Sequence, residues 1–326
     1  MSRYGIARRG VSRYESLTIV TAVATLALIT VGALVRTTGS GLGCPDWPLC
    51  HGGLLPPAEK TAIIEYSHRM LASLVGVLIV AVAVVTLRTR RNDAVVRALA
   101  VAALPLLALQ AWLGKETVER ELPAEVVAFH LATALILLAM LALIAVFVLL
   151  GPERRRVDTP ELSGFLRIVA AAAVATAGVL LVGAYVVGSS AGLACTDWPG
   201  CPQATVPFVE GTRIQHIQWL HRITVLVGLG AVGLVALAAT SLRGEAEPLR
   251  RAAWTLFALY LLQIAIGALN IWTDLSAAAR VAHLAVGSAI WALLVVIVVA
   301  GRYRAGVRAE ELATPQPGPQ RTGAHV

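Results

Sequence analysis

Hydrophobic residues along the chain gather into eight long, nearly uncharged runs separated by short polar stretches. Each run is close to the roughly 20 residues that a helix needs to cross the hydrocarbon of a bilayer. Strands of a membrane barrel alternate apolar and polar residues and are much shorter, whereas these runs are continuously apolar and rich in Ala and Leu. The pattern predicts eight transmembrane helices, at residues 17–35, 63–87, 98–114, 126–150, 168–187, 214–242, 252–271 and 281–301.

The composition agrees with a membrane environment. Of 326 residues, 57% are hydrophobic and 14% are charged, whereas about 25% of the residues of a soluble domain are charged. The mean hydropathy of +0.76 exceeds what soluble cores of this size would bury. A single water-soluble globule is therefore excluded.

The basic charge follows the order of the predicted helices. Nineteen of the 27 basic residues precede the first helix or follow the second, fourth, sixth and eighth. By the positive-inside rule this face is cytoplasmic, so both termini lie inside the cell and the cysteine-containing loops lie outside. The net charge of +8 is thus a topology signal, and we expect no nucleic-acid partner.

The two halves of the sequence repeat each other. Val31-Gly32-Ala33 and the loop from Gly41 to Cys50 recur 151 residues later, whereas His68-Arg69, Gln110, Gly114 and His130 recur 153 residues later. Because each half holds four helices, an even number, both halves have one orientation, related by an axis along the membrane normal. We expect an all-α integral membrane protein of two tandem, same-orientation four-helix bundles related by pseudo-two-fold symmetry. The predicted segments are a cytoplasmic N-terminal segment (1–16), an N-terminal bundle (17–150), a cytoplasmic linker (151–164), a C-terminal bundle (165–301) and a disordered cytoplasmic tail (302–326).

Four histidines occupy matched places in the repeat. His68 and His130 lie on the second and fourth predicted helices, and His221 and His283 lie on the sixth and eighth. The members of each pair are 62 positions apart. Two imidazoles at one depth in a bundle could hold a haem iron between apolar walls. Alternatively, each histidine is a hydrogen-bonding residue within its bundle. The matched pattern of four favours iron ligation.

Glu65 distinguishes the two halves. It stands three residues before His68, on the same helix face, and its counterpart is the neutral Gln218. Since a carboxylate near the hydrocarbon is costly, the asymmetry suggests chemistry in the N-terminal half and a resting cofactor in the C-terminal half. The alternative is that Glu65 merely pairs with Arg69. Arg69 and Arg222 could instead meet haem propionates.

Each half also carries a Cys-x5-Cys loop, with Cys44 and Cys50 in the first and Cys195 and Cys201 in the second. An oxidising compartment and an even number of cysteines favour one disulfide within each loop. A metal site that uses Cys44, Cys50 and His51 competes, but the second loop repeats the cysteines without the histidine. His51 and His216 have no counterparts in the other half and receive no role.

The combination of Glu65-Tyr66-Ser67-His68-Arg69, the paired cysteine loops, the four histidines and the duplication resembles the haem A synthase family. The resemblance spans roughly residues 17–301. It implies an oxidoreductase of the cell membrane that converts a methyl substituent of haem O to the formyl group of haem A by successive hydroxylations, for use in cytochrome oxidase. Haem O is then the substrate and haem b the cofactor. The candidate partners are haem O synthase, an unidentified electron acceptor and the lipid bilayer.

The resemblance also implies roles for individual residues. His68 and His130 belong to the substrate-haem site, His221 and His283 hold the haem b iron, and Glu65 is the catalytic residue. The family's loop disulfides correspond to the pairs Cys44–Cys50 and Cys195–Cys201.

Two other functions account for part of the pattern. A dihaem b membrane electron-transfer protein explains the four histidines but not why the acid occurs in one half only. A transporter of parallel repeats explains the duplication and topology but not four histidines at matched depth.

Overall fold

A computed structural model of the chain describes residues 11–156, 159–242 and 246–304. In this part of the chain, eight α-helices are each long and apolar enough to cross a membrane, which confirms the prediction of an all-α, multi-pass membrane protein. They are α1 (Arg13–Thr37), α2 (Lys60–Thr89), α3 (Ala94–Glu119), α4 (Ala124–Leu150), α5 (Pro160–Gly188), α6 (Arg213–Ala239), α7 (Glu247–Trp272) and α8 (Ala277–Arg302).

Most helices extend past the predicted runs. The clearest case is α5, which begins at Pro160 inside the predicted linker, with the Thr159 side chain accepting a hydrogen bond from the Leu162 amide. A hydrophobic run marks only the hydrocarbon-spanning part of a helix, whereas the helix itself continues to its cap. One helix is shorter than predicted, because α6 ends at Ala239 and not at residue 242.

The linker and the start of the tail form a short sheet that the sequence did not predict. Two strands, β1 (Arg155–Arg156) and β2 (Tyr303–Arg304), pair antiparallel beyond the ends of α4 and α8. The rest of the predicted tail and most of the N-terminal segment lie outside the described residues. So do six of the basic residues that indicate the topology: Arg3, Arg8, Arg9, Arg243, Arg308 and Arg321.

Each half has the same pattern of neighbouring helices. In the N-terminal half α1 packs against α2 and α4, and α3 packs against both of these; α5 to α8 repeat this arrangement. Val75, Ile79 and Ile144 lie at the centre of the first core. Leu256 and Leu294 lie at the centre of the second.

The halves meet along a seam that α4 and α8 form with α1 and α5. Ile29 of α1 and Leu135 of α4 are buried there, and Leu284 and Trp291 of α8 pack against the same cluster. The Trp291 indole N–H donates to the Leu135 carbonyl oxygen at 3.0 Å. The seam is therefore apolar and includes a hydrogen bond between the two halves.

The two cysteine loops, residues 38–59 and 189–212, follow α1 and α5. A Cβ added to Gly41 in the first loop would meet Leu122 of the α3–α4 turn, and one added to Gly192 in the second would meet Leu275 of the α7–α8 turn. In each half, the cysteine loop thus packs against the turn between the last two helices, at one end of the molecule. We call this the disulfide-loop end.

Candidate functional site

The two histidines of the N-terminal half each lie against a glycine of the preceding helix. A Cβ built on Gly32 of α1 would lie 3.2 Å from Cε1 of His68 on α2. A Cβ built on Gly114 of α3 would lie 3.3 Å from Cε1 of His130 on α4. A larger side chain at either glycine would press on the ring. Because glycine has no side chain, the imidazole has room to lie against the helix backbone.

The C-terminal half repeats this arrangement. Cβ atoms built on Gly183 and Gly267 would each lie 3.3 Å from Cε1 of His221 and His283, respectively. The imidazoles of His68 and His130 lie within electrostatic range of each other, as do those of His221 and His283. The structure therefore brings the four predicted ligands together in two pairs, one within each half.

The ring nitrogens of these histidines are incompletely satisfied. Nδ1 of His68, His130, His221 and His283 is buried and has no hydrogen-bond partner among the described residues. Nε2 of His130 lies 3.4 Å from Nε2 of Gln110, whereas Nε2 of the other three rings is neither buried nor hydrogen-bonded there. An accessible imidazole Nε2 without a partner is free to bind a further group, so the rings of His68, His221 and His283 are suited to do so.

This donor set fits haem iron. Haem needs only axial ligands from the protein, and imidazole is a common one. A metal centre built from protein side chains alone needs more ligands, and the described residues contain no group of three or more His, Cys, Asp or Glu side chains that could hold a metal. Paired imidazoles within an apolar bundle are therefore consistent with two haem sites.

Glu65 links α2 to the first disulfide loop. Its Oε2 accepts a hydrogen bond from the Cys44 amide at 2.8 Å, and its Oε1 lies 2.5 Å from Nη2 of Arg69. The residue is 3% exposed. The ion pair with Arg69, considered from the sequence as an alternative to a chemical role, is thus present. It keeps a buried carboxylate paired and hydrogen-bonded on the helix face that carries His68.

The counterpart in the second half makes a different contact. Gln218 is 5% exposed, and its Nε2 donates to the Gly192 carbonyl oxygen at 2.6 Å. An ionised carboxylate accepts hydrogen bonds but cannot donate them, whereas an amide does both. The halves therefore have the same shape at this position but opposite hydrogen-bonding roles.

Arg69 and Arg222 hold the disulfide loops. Arg69 donates to the carbonyl oxygens of Asp46, Leu49 and Cys44 at 2.6–2.7 Å. Arg222 donates in the same way to the second loop, at 3.0 Å to Pro199 and 2.8 Å to Asp197, and it also contacts Gly200. From the sequence, haem propionates were possible partners of both arginines. In the structure, their guanidinium groups donate to loop carbonyl oxygens.

Both cysteine pairs are disulfide-bonded, Cys44 to Cys50 and Cys195 to Cys201. The competing metal site therefore lacks free thiolates, and Nε2 of His51 lies 3.0 Å from the Gly43 carbonyl oxygen. In the same loop the Asp46 carboxylate accepts hydrogen bonds from the backbone amides of Gly52 and His51, which hold its pKa below the usual range.

The glycines opposite the histidines were missed as part of the site. The repetition of Gly32 as Gly183 and of Gly114 as Gly267 is visible in the sequence, but it assigns these residues no chemical role. Their contact with the rings depends on which faces of neighbouring helices meet, and a sequence does not record that. The available signal was that the glycines recur together with the histidines, 151 residues later for Gly32 and 153 residues later for Gly114 and both histidines.

The COX15-CtaA family model, described as cytochrome oxidase assembly protein, matches residues 15–295. The chain belongs to this family. A haem A synthase of Symbiobacterium thermophilum is 34% identical over 283 residues, which cover 84% of this chain and 90% of that protein. A haem A synthase of Bacillus licheniformis is 29% identical over 300 residues, or 90% and 98% of the two chains. Membership of the COX15-CtaA family confirms the resemblance stated from the sequence.

Proposed function

We propose that this chain is a haem A synthase, an oxidoreductase that converts a methyl substituent of haem O to the formyl group of haem A by successive hydroxylations at one carbon. The observation that carries the proposal is the duplicated glycine–imidazole site with an acid in one half only. The names of the relatives in the COX15-CtaA family support the same activity.

In this proposal each half holds one haem. His68 and His130 bind the substrate haem, within an N-terminal bundle of residues 17–150. His221 and His283 bind haem b, within a C-terminal bundle of residues 165–301. Haem b, when bound, supplies electron transfer to or from the substrate site. The pairing of imidazoles within each half supports this division.

Glu65 is the proposed general base. Conversion of a methyl group to a formyl group releases protons, and a carboxylate on the same helix face as His68 can accept them. The Cys44 amide and Arg69 donate hydrogen bonds to the carboxylate and fix its orientation. Each carboxylate oxygen keeps a second lone pair with which to accept a proton.

The proposal includes the topology and the partners. The termini, the N-terminal segment (1–16), the linker (151–164) and the tail (302–326) are cytoplasmic, and the two disulfide loops lie on the outer face of the cell membrane. The distribution of arginine supports this orientation. Haem O synthase would supply the substrate, and an electron acceptor would take up the electrons that the methyl carbon loses.

The test is an analysis of the haems that the protein binds. The protein is expressed in cells supplied with haem O and purified in mild detergent, and its haems are extracted and separated by chromatography with mass detection. We expect haem b together with haem A or its hydroxylated precursor, neither of the latter being present in cells without the protein. Haem b alone, despite a confirmed supply of haem O, would favour the dihaem electron-transfer protein, and a protein without haem would contradict both.

A further inference from the structure

Two arginines lie near each other at the disulfide-loop end of the seam between the halves. Arg36 lies in the last turn of α1, and Arg280 lies in the first turns of α8. Ile29 on α1 and Leu284 on α8 pack in the apolar cluster of the seam. Since α1 and α8 run in opposite directions, Arg36 and Arg280 lie outward of that cluster, one from each half.

Neither arginine has a partner in the described part of the chain. Nε of Arg36 is buried and has no hydrogen-bond partner there, and none of the ion pairs or side-chain hydrogen bonds found there involves either residue. Arg280 is partly buried, and Arg36 is close enough to act on its charge. Two like charges therefore lie within electrostatic range and partly out of water.

Other arginines at this end have partners. Arg69 and Arg222 bond the disulfide loops, Arg120 pairs with Glu116, and Arg213 donates to the Tyr185 hydroxyl. A desolvated pair of like charges is unfavourable unless an anion lies between them. Guanidinium groups bind carboxylates and phosphates through two parallel hydrogen bonds. Arg36 and Arg280 together are therefore suited to bind a carboxylate or a phosphate.

The two arginines also lie directly outward of the proposed haem sites. Arg36 follows Gly32, the glycine against His68, by four residues, and Arg280 precedes His283 by three, so each lies one turn away on the same helix face. A haem in either bundle presents its apolar ring to the helices, and its two propionate carboxylates are the groups that need cations.

The repeat does not preserve this pair. The counterparts of Arg36 and Arg280 in the other half are Val187 and Val127. The cationic site therefore lies where α1 meets α8. It is absent where α5 meets α4, so it is not a by-product of the duplication.

We propose that Arg36 and Arg280 form one binding site for a propionate carboxylate of a haem bound beside the seam. The inference rests on the proposed function, since it requires a bound haem. The carboxylate can come from the substrate haem or from the resident haem b. The two sources are distinguished by the arms of the test.

The first arm measures the substrate haem. Haem O and its dimethyl ester, which lacks the carboxylates, are titrated into the purified protein and followed by absorption. If the substrate haem is the source, wild type binds the free acid about 10–100-fold more tightly than the ester, as expected for a charge-assisted pair. In the R36Q/R280Q double variant this ratio falls to near one.

The second arm measures the resident haem. The purified protein is mixed with excess apomyoglobin, and the transfer of haem b is timed. If haem b supplies the carboxylate, the double variant releases it about 10–100-fold faster than wild type. The variant R120Q, which removes a paired arginine at the same end, should change neither arm. R36K/R280K, which keeps both charges, should recover part of the effect and show that loss of folding is not its cause.

The outcomes separate this site from the proposed function. A change in either arm that the double variant shows and R120Q does not show supports the site. The arm that changes identifies which haem supplies the carboxylate. If the double variant behaves like wild type in both arms, the proposal is overturned. It is also overturned if a phospholipid co-purifies with wild type but not with the double variant, while both haems bind unchanged. If wild type binds no haem at all, the proposed function fails, and this inference fails with it for a reason visible before any variant is made.

Discussion

At the scale of single residues, the strongest sign of function is a difference between two otherwise matched positions. Glu65 and Gln218 are both buried beside a disulfide loop, yet one accepts a hydrogen bond from the Cys44 amide and the other donates to the Gly192 carbonyl. An amide would suffice to hold a loop, as the second half shows. The purpose that we propose for the carboxylate in the first half is proton transfer, which an amide cannot perform.

The variant Glu65→Gln tests this purpose. We expect the conversion of haem O to fall about 100-fold or more, which is the usual contribution of a general base, while the haem content stays the same. The measurement is haem A formed per molecule of protein. Glu116→Gln is the matched control, because Glu116 also forms an i,i+4 pair with an arginine, Arg120. Full activity of the Glu65 variant would contradict the proposed role.

The glycines opposite the histidines allow a second prediction at this scale. Valine at Gly183 would place carbon atoms against the His221 ring, because a Cβ there already lies 3.3 Å from Cε1. Overpacking costs about 1–3 kcal/mol, so we expect G183V to retain less haem b and to show an altered haem absorption spectrum. A Cβ at Gly178, on the same helix, would meet nothing within 4 Å, and G178V is therefore the control. Equal haem retention in both variants would contradict this account of the site.

At the scale of elements, an ion pair connects the start of α3 to the segment after α4. It lies at the end of the molecule opposite the disulfide-loop end. Asp93 caps α3, and its carboxylate receives two hydrogen bonds from Arg154, which follows α4, at 2.5 and 2.8 Å. The Arg154 guanidinium also lies over the Phe147 ring, 4.5 Å from its centroid. From the sequence, Arg154 is only a topology signal, because nothing there shows that it reaches an aspartate 61 residues away.

The Asp93 pair gives a prediction about pH. The hydrogen bond from Arg154 holds the pKa of Asp93 below its usual value, so its stabilising contribution is present above about pH 4, the ordinary pKa of aspartate. It is lost as the pH falls through the lowered pKa. We expect D93N to lower the free energy of unfolding by about 1–2 kcal/mol at pH 7, measured by denaturant in mixed micelles. The difference from wild type should shrink as the pH falls below 4, and a difference that stays constant would be inconsistent with an ion pair.

At the scale of the whole molecule, the sequence predicts the helices well because hydrocarbon imposes length and composition on every span. The repeat also pairs His68 with His130 and His221 with His283, and this pairing as iron ligands stays a prediction. The sequence does not predict where helices begin beyond the hydrocarbon, as at Pro160, or that β1 pairs with β2. These features depend on caps and backbone contacts that leave no hydrophobic pattern.

The contacts around the site show the same limit. Arg69 and Arg222 were considered as partners of haem propionates, yet they bond loop carbonyls. Arg36 and Arg280 received no role, because they are distant in sequence and come together only where α1 meets α8. Residue types and spacing can thus indicate candidate ligands, whereas the partner of a long cationic side chain depends on the packing of helices.

The division of labour between the halves yields a prediction for the complete molecule. If each half holds its own haem, His221→Ala should remove haem b and leave the binding of haem O intact, whereas His68→Ala should weaken the binding of haem O and leave haem b in place. The physical reason is that the imidazole of His68 lies near that of His130, and the imidazole of His221 lies near that of His283, each pair within one half. The measurement is the amount of each haem per protein after extraction, with His216→Ala as control because that ring bonds the Glu210 carbonyl in the loop. Loss of the same haem in both variants would show that one iron is shared across the seam, and the proposed division of the molecule would then be wrong.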